Sequence, residues 1–138
     1  MKSLRIQIHT NGEKAYSITQ EITKALGSLP EGFSGMLFIF CQHTSCGLCI
    51  NESFDPLATQ DLEEFLRYLA PRNLPFIQHT DEGADDSPSH MKTLFSGSSL
   101  TIPIESGKML LGTWQGINLL EFRDQPKVRQ IILKILEG

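Results

Sequence analysis

The chain is poor in cysteine and tryptophan, carries no cluster of lysine and arginine, and has no long apolar run. Each shortage excludes something. Without a basic cluster nothing can neutralise a row of phosphates, and the net charge of −4 also argues against a nucleic-acid surface. No apolar stretch approaches the ~18–20 residues of a membrane span, and the opening MKSLRIQIHT lacks the apolar segment of a signal peptide. Three cysteines, Cys41, Cys46 and Cys49, cannot all pair within one chain, which suits a reducing compartment and predicts the cytoplasm. What is present is an ordinary globular balance: 138 residues, 40% apolar and 20% charged. That predicts one domain over 1–138, with about two-thirds of the unfolded surface available for burial and no need of a disulfide.

Alternation of Leu4, Ile6 and Ile8 with Arg5, Gln7 and His9 predicts a half-buried opening strand. Asn11-Gly12 is a tight-turn signal that would send residues 13–17 back as a second strand. Ser17 followed by Gln20 reads as a capping box for a helix whose apolar face is Ile18, Ile22, Ala25, Leu26 and Leu29, closed by Pro30 and Gly32. The unbroken apolar run Met36–Phe40 predicts a fully buried strand, and Cys46–Ile50 another beyond the polar break at Gln42–Ser45. Asp55-Pro56 starts a second helix, with Ala58, Leu62, Phe65, Leu66 and Leu69 at helical spacing up to Pro71. An acidic loop follows to residue 86, then a short helix from Ser87-Pro88 to Gly97. Strands are expected at Leu100–Ile104, Met109–Thr113, Ile117–Phe122 and Val128–Leu136, the last on the even spread of Ile131, Ile132, Leu133 and Ile135.

Three histidines stand where chemistry is conceivable: His43 at the end of the buried strand, His79 ahead of Asp81, Glu82, Asp85 and Asp86, and His90 in the first turn of the third helix. They could make a three-histidine zinc site with one open position, the nearby acids orienting the imidazoles, or they could be unrelated surface and capping residues. The start of the same helix could bind an anion through the backbone N–H groups of residues 88–91, helped by Ser89, Lys92 and Thr93. Glu52, on the strand face of Cys46, Leu48 and Ile50, is a candidate general acid or base, or half of a salt bridge. Cys46 and Cys49 have C-x-x-C spacing, but in a strand they point to opposite faces, so packing is the better reading. Trp114-Gln115 between two glycines suggests a bulge, either where a ligand or another chain approaches or simply bending a sheet.

Together these residues form motifs. His43-Thr44-Ser45-x-Gly47-Leu48-x-Ile50-Asn51-Glu52 resembles HTSAGLTINE, and His79-x-x-Glu82-Gly83-x-Asp85-Asp86-x-Pro88-x-His90-x-Lys92 resembles H..EG.DD.PAHIK. Ser99–Pro103 and Leu111–Gly116 resemble SLTIP and LGTWQG. These are motifs of the YjbQ family, small proteins linked to a secondary thiamine-phosphate synthase activity, and the resemblance runs over nearly the whole chain. It departs at Cys46 and Cys49, where the family usually has Ala and Thr, at Ser89, and at Phe95–Ser98.

The resemblance implies an α+β fold with a β-sandwich core, two or three helices and a homotrimeric assembly. It implies a metal cluster at His43, His79 and His90, with zinc the expected divalent ion. Glu52, Glu82, Asp86, Lys92, Trp114 and Gln115 carry over as motif positions, the three acids as candidate catalytic groups. The implied reaction joins a pyrimidine diphosphate to a thiazole phosphate and expels pyrophosphate, with Ser89 and Lys92 as candidate phosphate ligands. Metal-dependent hydrolysis of a small phosphorylated substrate, with Glu52 or Glu82 as base, is the alternative, and a trimer that binds metal or metabolite without turnover is a third.

Overall fold

The computed structural model describes residues 2–27 and 29–138. In chain order the elements are β1 (Lys2–Thr10), β2 (Lys14–Ser17), α1 (Thr19–Leu26), β3 (Gly35–Cys41), β4 (Cys46–Glu52), α2 (Pro56–Leu69), α3 (Asp86–Ser96), β5 (Ser99–Glu105), β6 (Lys108–Met109), β7 (Gln115–Glu121) and β8 (Lys127–Glu137). They build an α+β fold with two antiparallel sheets, one of order β1-β8-β3-β5-β6 and one of order β2-β7-β4.

Alternation explains the larger sheet. Ile8, Leu37, Ile39, Ile102, Ile131 and Leu133 point inward and meet Leu48, Ile117 and Leu119 of the smaller sheet and Ile18, Ile22 and Leu26 around α1 in one core. The smaller sheet is covered on both faces. Its other side packs Leu120 and Phe122 against Leu66 of α2, so β7 is buried at nearly every position. No helix among the described residues is long and apolar enough to cross a membrane.

Several local expectations are corrected. Met36–Phe40 is not buried on both sides: Leu37 and Ile39 face the core, whereas Phe38 and Phe40 are 37% and 46% exposed on the uncovered face of the larger sheet. Val128 and Leu136 of β8 are also exposed. The Asn11-Gly12 turn does not fold β2 back on β1; Gly12 takes φ +99° and sends β2 across to pair with β7 in the other sheet. Ser17 stays in that strand opposite Asn118, so it cannot cap α1, which starts at Thr19. Of the expected strand Met109–Thr113 only the start pairs, because the Gln115 side chain accepts from Gly112 N–H and folds residues 112–115 into a turn. Asp55 does cap α2, accepting from Leu57 N–H, with Pro56 at the first helical position. The ambiguous C-terminal segment is a strand, paired on both edges by β1 and β3.

Candidate metal centre

The centre is assembled by α3. Asp86 and His90 are four residues apart and so share a face of this helix, while His79 arrives from the preceding loop. Asp86 Oδ2 lies 2.7 Å from His79 Nε2 and 3.1 Å from His90 Nε2, and the two rings stand 5.5 Å apart. These three residues offer ligand atoms all within 4.8 Å of one another. Asp86 is buried, whereas the His79 side chain is 55% exposed and that of His90 38%.

The donor set fits a cation. His90 Nδ1 donates to the Thr44 carbonyl at 2.8 Å, which in a neutral ring leaves a lone pair on Nε2. That lone pair faces a carboxylate oxygen, an arrangement that repels unless a proton or a metal ion lies between them. Two imidazoles and a carboxylate are ordinary ligands for zinc and leave coordination positions open.

Arg123, just beyond β7, holds the acidic side of the centre. Its Nη1 donates to Asp86 Oδ1 at 2.7 Å, its Nε to Asp85 Oδ2 at 2.9 Å, and its Nη2 to the Glu82 carbonyl at 2.9 Å. Burial pushes the Asp86 carboxyl up, but the bond from His79 and the proximity of His90 and Arg123 outweigh it and hold it below the usual range. Asp85 behaves likewise: burial raises it, and bonds from Asp124 N–H and Arg123 bring it down. Arg123 was missed in the sequence because nothing around Phe122-Arg123-Asp124 marks it; only the fold sets it against Asp85-Asp86.

His43 does not join this cluster. Its Nε2 accepts from Gln130 N–H at 2.8 Å, so that nitrogen is committed to β8. Burial, followed by the charge of Arg129, lowers its basicity, in keeping with that acceptor role. His43 instead lines, with Thr44, His90, Thr93 and Ser98, an open concavity of about 540 Å³ beside the cluster. The close set of ligand atoms therefore contains Asp86 and not His43.

The expected anion site at the start of α3 is not formed. The helix begins at Asp86, one residue earlier than expected, which puts His90 in its second turn. Asp86 and Ser89 N–H already bond the Gly83 and Asp85 carbonyls, and Pro88 has no N–H to offer. Ser89 is fully buried with its hydroxyl on the Asp86 carbonyl. Lys92, 2% exposed, points to the far side of the helix and donates to Glu13 Oε1 at 2.6 Å.

Glu52 also lies elsewhere. It closes β4, six residues from Cys46 and so about 20 Å along the strand from the histidine end. Its Oε2 accepts from Phe54 and Asp55 N–H, a loop-closing role rather than general base catalysis at the cluster. Trp114 and Gln115 stand at that same distant end. Trp114 packs edge-on against Phe54 at 5.0 Å, and Gln115 holds its own turn. Of the candidate acids outside the cluster, Glu82 alone stays close, its carboxylate exposed and 3.9 Å from Arg123 Nη1.

A family model described as UPF0047 protein YjbQ-like matches residues 4–138. The chain belongs to the UPF0047 YjbQ-like family. The UPF0047 protein YjbQ of Escherichia coli O157:H7 is 39% identical over 131 residues, covering 95% of this chain and 93% of that one. A conserved hypothetical protein from Thermus thermophilus superposes with a TM-score of 0.85 at 38% identity, covering 96% and 99% of the two chains. A hypothetical protein from Aeropyrum pernix superposes with a TM-score of 0.89 at 27% identity over the full length of both. Both solved structures share this architecture over nearly the whole chain.

Proposed function

We propose that this UPF0047 protein is a metal-dependent enzyme acting on a small phosphorylated metabolite, with a divalent ion, zinc first, held by His79, Asp86 and His90. The observation that carries the reading is the orientation of His90: Nδ1 is tied to the Thr44 carbonyl, and Nε2 faces the carboxylate that also meets His79. When bound, the ion supplies charge that stabilises a phosphate or pyrophosphate oxygen. The chain does the rest. Arg123 fixes the carboxylate, Thr44 fixes the imidazole, and the concavity lined by His43, Thr93 and Ser98 admits a substrate to the exposed side of His90.

The reaction implied by the family resemblance fits this arrangement in outline. A thiazole ring nitrogen attacks the methylene carbon of the pyrimidine diphosphate, the C–O bond breaks, and the electron pair leaves with pyrophosphate. Hydrolysis of a phosphate ester is the second reading, favoured by Glu82, an exposed carboxylate beside Arg123 that could take a proton from water. A homotrimer is part of the proposal: Phe38, Phe40, Val128 and Leu136 are exposed on the open face of the larger sheet, among polar side chains such as Arg5, Gln7, Gln130 and Lys134, and contact with neighbouring copies would cover them. Three free thiols suit a cytoplasmic setting.

The deciding experiment measures pyrophosphate release from the pyrimidine diphosphate plus thiazole phosphate pair, and phosphate release from simple esters, in metal-loaded and chelated protein. Metal-dependent release that is lost in His90→Ala supports an enzyme, and the substrate that turns over selects the reaction. Tight metal binding with neither release leaves a binding protein.

A further inference from the structure

Two of the three cysteines meet in space at a point the C-x-x-C spacing does not indicate. Cys41 ends β3 in one sheet, Cys46 begins β4 in the other, and their Sγ atoms lie 3.3 Å apart. Both are buried, 2% and 0% exposed. The four residues between them are pinned from outside. His43 accepts from Gln130 N–H, the Thr44 carbonyl accepts from His90, and Ser45 accepts from Arg129 through its hydroxyl and from Phe122 N–H through its carbonyl. The thiols are therefore held together by the fold, not by a floppy connection.

We propose that Cys41 and Cys46 are a modification site: a dithiol that hydrogen peroxide converts to a reversible disulfide, closing a covalent ring around His43 and Thr44. Cys41 is taken as the attacking sulfur because it keeps a trace of exposure, 2% against 0% for Cys46. One S–H···S contact joins the two sulfurs, and the charge of Arg129 favours a thiolate at either. Cys41 thiolate attacks one oxygen of hydrogen peroxide, the O–O bond breaks, the leaving hydroxide takes up the proton lost from the thiol and departs as water, and a sulfenic acid remains. Cys46 sulfur then attacks Cys41 sulfur, the S–O bond breaks, and a second water leaves. Two thiol hydrogens and two electrons pass to one peroxide, giving one disulfide and two waters. The sulfurs need to approach by about 1.3 Å to reach a normal S–S bond. Cys49 takes no part, because it faces the α2 side of the sheet among Leu66, Leu120 and Phe122, and burial raises its thiol to about 11.

The test treats the full chain with hydrogen peroxide, removes the excess with catalase, unfolds in iodoacetamide and digests without reductant. The expected result is a peptide spanning Cys41 and Cys46 that lacks two hydrogens and takes no label, with Cys49 labelled and all three cysteines labelled after reduction. Cys46→Ser should give no disulfide, leaving Cys41 labelled or singly oxidised. Full labelling of all three cysteines in the native chain, at a peroxide dose that closes the disulfide in urea, overturns the proposal. So does a disulfide that uses Cys49, or oxidation of Cys41 to sulfinic acid without closure. The wild-type result decides the matter even where the serine variant fails to fold.

Discussion

His90 and Thr44 are joined by a 2.8 Å hydrogen bond from the imidazole Nδ1 to the backbone carbonyl, and that bond aims Nε2 at Asp86. It links the turn between the two sheets to the helix laid across it. A backbone acceptor cannot be mutated away, so the orientation of the ring depends on how closely α3 approaches β4.

Ligand substitutions should separate the observed cluster from the three-histidine arrangement that the motifs imply. His79→Ala, Asp86→Asn and His90→Ala are each expected to lower zinc affinity by roughly tenfold or more, as loss of a ligand or its support does, while His43→Ala retains near-stoichiometric metal. Elemental analysis after dialysis against a weak chelator reads this directly. Loss of metal in His43→Ala with retention in His79→Ala would reverse the assignment.

Arg123 should behave as the support of the centre. Arg123→Met leaves Asp85 and Asp86 buried without their cation, which typically costs about 3–5 kcal/mol for a buried pair. Metal affinity should fall by about 10–100-fold, as for groups that orient ligands. Thermal unfolding and metal titration on the same preparation check both. Wild-type stability with unchanged metal affinity would refute the role.

Close approach of α3 to β4 depends on Gly47. A Cβ there would sit 2.8 Å from the Gly97 carbonyl oxygen and far inside the Ser96 side chain, so the end of α3 has to move. Gly47→Ala should cost about 1–3 kcal/mol, as overpacking does, and weaken metal binding by displacing His90. Adding Ser96→Ala relieves the side-chain clash but not the carbonyl contact, so only partial recovery in thermal melting is expected.

Acid should weaken the fold through Glu121. Burial raises this carboxyl, but bonds from Arg129, Thr10 and Arg123 N–H outweigh it and hold it below the ordinary 4.5. A depressed folded value means the stabilisation is complete above about the ordinary value and is lost as pH falls through the folded one. Glu121→Gln should therefore be destabilised most at neutral pH, by about 3 kcal/mol or more for breaking a buried pair. The gap from wild type should shrink below the ordinary glutamate range. Urea titrations at several pH values measure it, and a gap that widens in acid would contradict the assignment.

Phe40→Glu should dissociate the proposed trimer while leaving the chain folded, because the side chain is 46% exposed on the open face of the larger sheet. Light scattering at micromolar concentration reads the mass, and circular dichroism the fold. A wild-type monomer would remove the trimer from the proposal.

Most of the elements were legible in the chain, because alternation and helical spacing are local consequences of side chains meeting one core. Strand β8 and the Asp55-Pro56 start of α2 are read correctly for that reason. The motifs also drew attention to His79 and His90, which the fold brings together with Asp86. Partnership was not legible. Which nitrogen of His43 is already taken depends on Gln130, 87 residues away, and which acid meets the histidines depends on where α3 starts. The pairing of β2 with β7, the clamp of Arg123 on Asp85-Asp86 and the meeting of Cys41 with Cys46 all join segments through the packing of two sheets and a helix. Residue type and spacing encode what a segment prefers, whereas contact between distant segments is set by how those preferences are jointly satisfied around the buried core.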